Sequence, residues 1–169
     1  VLIGQNGRDY TSEILKKYQP EADVNALYQE LENKPTSWIE DGHAGKVIYA
    51  FTDVDCGYCK KIWDDTRAAV DKGELTIRWV LVGTQSQKSL GKAMAILLAD
   101  KPFEALKQAK TGWRPGKGGD ITPTKIEMNA KNLAILNLLK QNYEWMQTNE
   151  ILGTPAVVHK SNGKAILTK

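Results

Sequence analysis

With 169 residues, 41% of them apolar, the chain is long enough for one domain with a true core plus a short appendage. Its 23 basic and 20 acidic residues are spread along the sequence, and the net charge of +3 excludes a concentrated nucleic-acid footprint or a polybasic membrane anchor. No apolar run is long enough to span a bilayer, and Val1 is preceded by no charged-then-apolar leader, so the chain reads as a processed product.

The segment from Val1 to Tyr18 reads as a remnant that cannot bury a core by itself: a strand end, a Gly4-Gln5-Asn6-Gly7 turn and a short mixed segment. From Pro20, Val24, Leu27, Tyr28 and Leu31 recur at helical spacing until Asn33-Lys34-Pro35. This short amphipathic helix either docks on its own domain or links to another one. Asp41 to Gly45 is expected to be a loop, with His43 solvated. Lys46 to Thr52 is apolar on both alternating faces, as a central strand requires.

Cys56-Gly57-Tyr58-Cys59 follows, and it contains both cysteines of the chain. Behind it Cys59, Ile62, Trp63, Thr66, Ala69 and Val70 fall at helical spacing, and Gly73 supplies the stop. The motif therefore opens a helix, where unpaired N–H groups and the helix dipole favour a thiolate. Cys56 is then a nucleophile, and Cys59 is close enough to attack a mixed disulfide formed at Cys56. A metal site fits poorly, because four ligands are usual for structural zinc and only His43 and His159 accompany the cysteines. A purely structural disulfide fits less well still, since so short a loop removes little unfolded-chain entropy. No metal and no cofactor is expected.

Leu75 to Val82 reads as a second strand, with Leu75, Ile77, Trp79 and Leu81 on one face and Thr76, Arg78, Val80 and Val82 on the other. Strand, helix, strand implies a parallel pair. Helical signals then run to about residue 150. Three apolar stripes are expected to be core: Leu90, Ala93, Met94, Leu97 and Leu98; Phe103, Leu106 and Ala109; and Leu133, Leu136, Leu139, Tyr143 and Met146. Gly112 to Gly119 lacks the spacing, the Ser or Thr, and the preceding strand of a phosphate loop, and reads as a flexible surface loop. After Gly153-Thr154-Pro155, Asn162-Gly163 between two short apolar runs predicts a closing hairpin.

The order is that of an α/β thioredoxin-like fold with an inserted helical subdomain at about 86–150. Phe51-Thr52-Asp53 leading into Cys56-Gly57-Tyr58-Cys59-Lys60, together with Gly153-Thr154-Pro155-Ala156-Val157-Val158, resembles the DsbC/DsbG family of periplasmic thiol:disulfide isomerases. Trp38 to Gly42, Leu81-Val82-Gly83 and Cys59-Lys60 with Trp63 are more similar to the DsbG branch. Gly57-Tyr58 and the Gly-Thr-Pro-Ala-Val-Val run are more similar to DsbC.

The resemblance implies three parts: residues 1–19 as the tail of an amino-terminal dimerisation domain, 20–35 as a linker helix, and 36–169 as the catalytic domain without its last helix. Apolar sheet surface should then be left uncovered. It also implies a periplasmic location, misfolded or cysteine-oxidised protein substrates, a membrane thiol reductant of the DsbD type and a homodimer where the full amino-terminal domain is present. Cys56 becomes the attacking thiolate and Cys59 the resolving thiol. Thr154-Pro155 is expected to be cis beside them, offering backbone groups to substrate, and Gly57 and Tyr58 to tune the helix turn. Asp55 departs from the family pattern: a carboxylate there disfavours the thiolate, whereas Lys60 and Lys61 favour it, so Asp55→Ala is expected to lower the Cys56 pKa. Isomerase or reductase activity, including reduction of sulfenic acids, is the leading expectation. A net disulfide oxidase, or a peptide-binding chaperone in which the cysteines are secondary, is the alternative.

Overall fold

The computed structural model describes residues 23–169, so the expectations for the first 22 residues lie outside it. In these residues a five-stranded sheet is built from β1 (Ile39–Asp41), β2 (Lys46–Asp53), β3 (Leu75–Val82), β4 (Ala156–Ser161) and β5 (Lys164–Thr168), in the order β1-β3-β2-β4-β5. β2 and β3 are parallel and the remaining pairs antiparallel. β2 is therefore the middle strand, hydrogen-bonded on both edges, which accounts for its two apolar faces.

The two faces carry two cores. On one, Ala50, Ile77, Trp79 and Leu81 pack against Trp63 and Val70 of α2 (Gly57–Asp71), Ala93, Met94 and Ile96 of α3 (Gln87–Leu98), and Leu106 and Ala109 of α4 (Pro102–Thr111). On the other, Tyr49, Phe51, Val80, Val82, Ala156 and Val158 are covered by Leu27, Tyr28 and Leu31 of α1 (Val24–Asn33) and by Trp145 and Met146 of α5 (Ala130–Thr148). The apolar side of α1 is thus docked on its own sheet. Asp23 begins that helix by accepting the Ala26 N–H through its carboxylate. At the β4–β5 end of the first face, Ile48 and Val157 are half-buried and Ile166 is 41% exposed, leaving apolar sheet surface open.

Three local expectations are corrected. The stretch read as a loop from Asp41 begins within β1, an edge strand antiparallel to β3, and Asp41 is buried there. Arg67 pairs with its carboxylate, which also accepts the Trp79 indole N–H at 2.9 Å. A charge in the strand was what concealed it. The stripe of α5 is rotated from the expected one: Leu133 and Tyr143 are exposed, while Asn132, Asn142 and Trp145 are buried. This helix serves both cores, Leu139 on one and Trp145 on the other, and the Asn142 amide donates to the Ser37 and Leu81 carbonyls on the way. The third correction, the loop after α4, belongs to the site. The closing hairpin follows the Asn162-Gly163 signal, with both turn residues at positive φ (51° and 77°).

Candidate active site

β2 delivers the motif. Its last residue, Asp53, is fully buried, and its carboxylate accepts the N–H groups of Asp55, Thr84 and Gln85 and the Ser89 hydroxyl. One side chain thus joins the end of β2 to the loop after β3 and the first turn of α3. The chain then turns into α2 with Cys56 as N-cap, extended at φ −69° and ψ 120°. The Cys56 sulfur takes the place usually held by a Ser or Asp oxygen and accepts the Cys59 N–H at 3.2 Å. Cys56 is 3% exposed and Cys59 is fully buried, both as free thiols, whereas Tyr58 between them is 77% exposed.

The Thr154–Pro155 peptide is cis. Its position follows from the sheet register: Ala156 is paired with Phe51 across β4 and β2, which sets the preceding residues beside the end of β2. The Cys56 thiol accordingly lies 3.4 Å from the Thr154 carbonyl oxygen. Beyond Thr154 a cleft of about 650 Å³ opens between the loop after β3 and the end of α5, lined by Thr84, Gln85, Tyr143, Leu152 and Gly153. Leu152 at its rim is 98% exposed.

The thiols are driven in opposite directions. The Cys56 pKa is lowered to about 6, first by the hydrogen bond from the Cys59 thiol, then by the contact with Thr154, the Cys59 N–H and the positive charge of Lys110, against the opposing effect of burial. The Cys59 pKa is raised, first by burial and then by its hydrogen bond to Cys56. Cys56 is thus mostly thiolate near neutral pH and Cys59 a thiol.

The charges around the pair are not those expected. Asp55 does not act as an unbalanced charge beside Cys56: its carboxylate is bound by the Lys92 ammonium at 2.5 Å and the Gly119 N–H at 3.0 Å, and Lys92 is itself buried. Nor do Lys60 and Lys61 serve the thiolate, since each pairs one turn along α2, with Asp64 and Asp65. Among the described residues, the cation that does face the cysteines is Lys110, from α4, fully buried and donating to Thr52 Oγ1 and the Asp53 carbonyl, each at 3.0 Å.

The Gly112–Gly119 stretch, expected to be a flexible surface loop, is tied down on the motif. Trp113 donates its indole N–H to the Asp55 carbonyl at 3.1 Å, and its ring lies over Gly57 closely enough that a Cβ there would touch it at 3.4 Å. Gly118, at φ +69°, passes so near Asp55 that a Cβ would fall 2.0 Å from Oδ1. Only glycine fits this approach. Lys110, Lys92 and Trp113 were missed in the sequence. The available signal was that both lysines fall at core spacing, Lys110 four residues after Leu106 and Lys92 four before Ile96. Among the described residues, no three His, Cys, Asp or Glu side chains converge as metal ligands.

A buried dithiol with one acidic and one suppressed thiol at a helix start, next to a cis-proline loop and an open cleft, is equipped to exchange disulfides. The profile of the thioredoxin-like domain family matches residues 37–168. The thiol:disulfide interchange protein DsbG of Pseudomonas aeruginosa is 31% identical over 163 residues, covering 94% of this chain and 59% of that protein. DsbG of Escherichia coli is 27% identical over 165 residues, covering 95% and 62%. The chain therefore spans about three-fifths of the length of these curated relatives. Among solved structures, the catalytic domain of Proteus mirabilis ScsC matches with a TM-score of 0.57 at 16% identity, covering 87% of this chain and 89% of that one. Pseudomonas aeruginosa DsbA2 gives 0.57 at 16%, covering 76% and 83%. These two structures share the fold. The chain belongs to the thioredoxin-like domain family, and within it is similar to DsbG thiol:disulfide interchange proteins.

Proposed function

We propose that this chain is the catalytic part of a periplasmic disulfide isomerase or reductase acting on misfolded or cysteine-oxidised proteins. The observation that carries the reading is Cys56 at the N-cap of α2, its pKa lowered to about 6 while Cys59 is held as a thiol behind it. The Cys56 thiolate attacks a substrate disulfide and forms a mixed disulfide. Cys59 either displaces the substrate, completing a reduction, or stays idle while a substrate thiol rearranges the bond. The Thr154 and Pro155 backbone and the cleft beside them receive the polypeptide flanking the reacting cysteine, with Tyr58 and Leu152 as its exposed apolar borders. Gly57 leaves room for Trp113, and Asp55 holds the Gly118–Gly119 turn against the motif.

In the whole protein, α1 belongs to a linker from an amino-terminal dimerisation domain, which makes the assembly a homodimer. A membrane thiol reductant of the DsbD type returns Cys56 and Cys59 to the dithiol. The test is refolding of a scrambled-disulfide substrate by reduced and by oxidised protein. Activity confined to the reduced form and abolished by Cys56→Ser supports the proposal; activity confined to the oxidised form rejects it. One observation favours that second reading, a net oxidase: a strongly stabilised Cys56 thiolate stabilises the reduced dithiol and so makes the disulfide a better oxidant.

A further inference from the structure

Among the described residues, Lys110 is the cation that faces both thiols, and the exchange chemistry uses no more of it than its charge. It is fully buried, and among the described residues no carboxylate pairs with it. Its Nζ lies 3.0 Å from Thr52 Oγ1, and the Thr52 hydroxyl is near enough to Cys59 to favour its thiolate. Cys59, Thr52 and Lys110 therefore form one cluster inside the protein, all three fully buried. The carboxylates nearby are committed elsewhere: Asp53 accepts three N–H groups and the Ser89 hydroxyl, and Asp55 is paired with Lys92.

Resolution of a mixed disulfide needs a proton acceptor inside the protein. Cys59 is fully buried, so water cannot take its proton directly, and an S–H is a poor nucleophile. We propose that Lys110 is the positioning base of the resolving step, drawing the proton from the Cys59 thiol through the Thr52 hydroxyl as Cys59 attacks the disulfide at Cys56. This rests on the exchange reading above.

In the step, the Cys59 proton passes to Thr52 Oγ1 while the Thr52 hydroxyl proton passes to the neutral Lys110 amine, which becomes an ammonium. The sulfur pair of Cys59 forms the Cys59–Cys56 bond and the bond from Cys56 to the substrate sulfur breaks. The substrate leaves as a thiolate with that electron pair, so it is reduced and the two cysteines are oxidised. With both cysteines in the disulfide no thiolate faces the ammonium, which gives its proton up to solvent; Cys59 takes a proton up again when the disulfide is reduced.

The charge state of the lysine follows the cycle. The groups facing it are Cys56 at the N-cap of α2, Cys59 in its first turn, Asp53 at the end of β2 and Asp55 between β2 and α2, the last balanced by Lys92. Burial lowers the Lys110 pKa, and the negative charges of the two cysteines oppose that. Once Cys56 is capped by substrate its charge is gone and the amine form is favoured. The base thus becomes available at the step that consumes it.

The reduced protein is mixed with an aromatic disulfide whose thiolate is coloured. The first equivalent released reports attack by Cys56, and the second reports resolution by Cys59. In the wild type, the second release is expected to vary little with pH around neutrality. Lys110→Met should slow it about 100-fold near pH 7, at the low end of what a positioned general base contributes. The deficit should shrink about tenfold per pH unit as hydroxide replaces the lost base. Thr52→Val, which keeps the shape of the site and leaves Lys110 in place, should give the same pH-dependent loss. It carries the test should removal of the buried lysine prevent folding. Resolution at the wild-type rate in the folded variants, or a slowing by the same factor at every pH, overturns the relay. A wild-type chain that releases no second equivalent overturns the exchange reading and the relay with it.

Discussion

The acidity of Cys56 is attributed above all to one partner, and Cys59→Ala removes that partner alone. In the wild type the Cys56 thiolate is bonded to the Cys59 thiol and N–H and held at a pKa of about 6. Hydrogen bonds to a charged group contribute about 1.5–3 kcal/mol, and each pKa unit corresponds to about 1.4 kcal/mol. The variant should therefore titrate roughly one to two units higher, near 7 to 8. It should remain below an ordinary thiol, because the Cys59 N–H and Lys110 stay in place. The assay is ultraviolet thiolate absorbance against pH, with Cys56→Ser as the blank.

Stability carries the same signature. Because the folded pKa is depressed, the stabilisation of the reduced protein is complete above the unfolded thiol pKa of about 9 and is lost as pH falls through about 6. Between those limits the slope is on the order of 1.4 kcal/mol per pH unit. In Cys59→Ala the window should begin one to two units higher, by about the same arithmetic. A Cys56 pKa that stays at or below 6 in the variant would refute the assignment and leave the helix start and Lys110 as the source of the acidity.

Lys92→Met should destabilise the protein by about 3–5 kcal/mol in urea unfolding, because it leaves the Asp55 carboxylate without its buried counter-charge; a loss below about 1 kcal/mol would mean that water reaches Asp55 freely. Asp55→Asn should move the Cys56 pKa by less than about half a unit, since the charge it removes is already balanced by Lys92; a fall of a full unit in the thiolate titration would restore the through-space repulsion expected from sequence. Gly118→Ala should cost about 2–4 kcal/mol, as a Cβ at 2.0 Å from Asp55 Oδ1 and a positive φ both have to be relieved. It should also shift the Trp113 fluorescence as the loop lifts, and an unchanged spectrum with unchanged stability would show the loop to be loosely held.

What the sequence showed of this site, and what it hid, divide along a physical line. The β2–α2 junction was legible because strand and helix periods meet at Cys56, and a residue at a helix start has its neighbours set by the backbone itself. The hairpin was legible for the same reason, since Asn162-Gly163 dictates its own turn. The groups that finish the site arrive from far along the chain: Thr154 by the pairing of β4 with β2, and Lys92, Lys110 and Trp113 by the packing of the inserted helices. Local periodicity carries no record of such approaches, and it reads a lysine as solvent-facing by default.

Lys92 and Lys110 break that default in one way: each occupies a core position of its helix, and a lysine there has to be met by oxygen atoms or negative charge at the depth it reaches. Lys92 meets the Asp55 carboxylate and the Lys117 carbonyl. Lys110 meets a hydroxyl and a carbonyl, and the charges that favour its ammonium are those of Cys59 and Cys56. The first lysine has a permanent counter-charge and serves the fold. The second has a counter-charge only while a cysteine is ionised, so its protonation is tied to the charge of the pair, and the proposed relay makes it the point at which the inserted helices act on the chemistry.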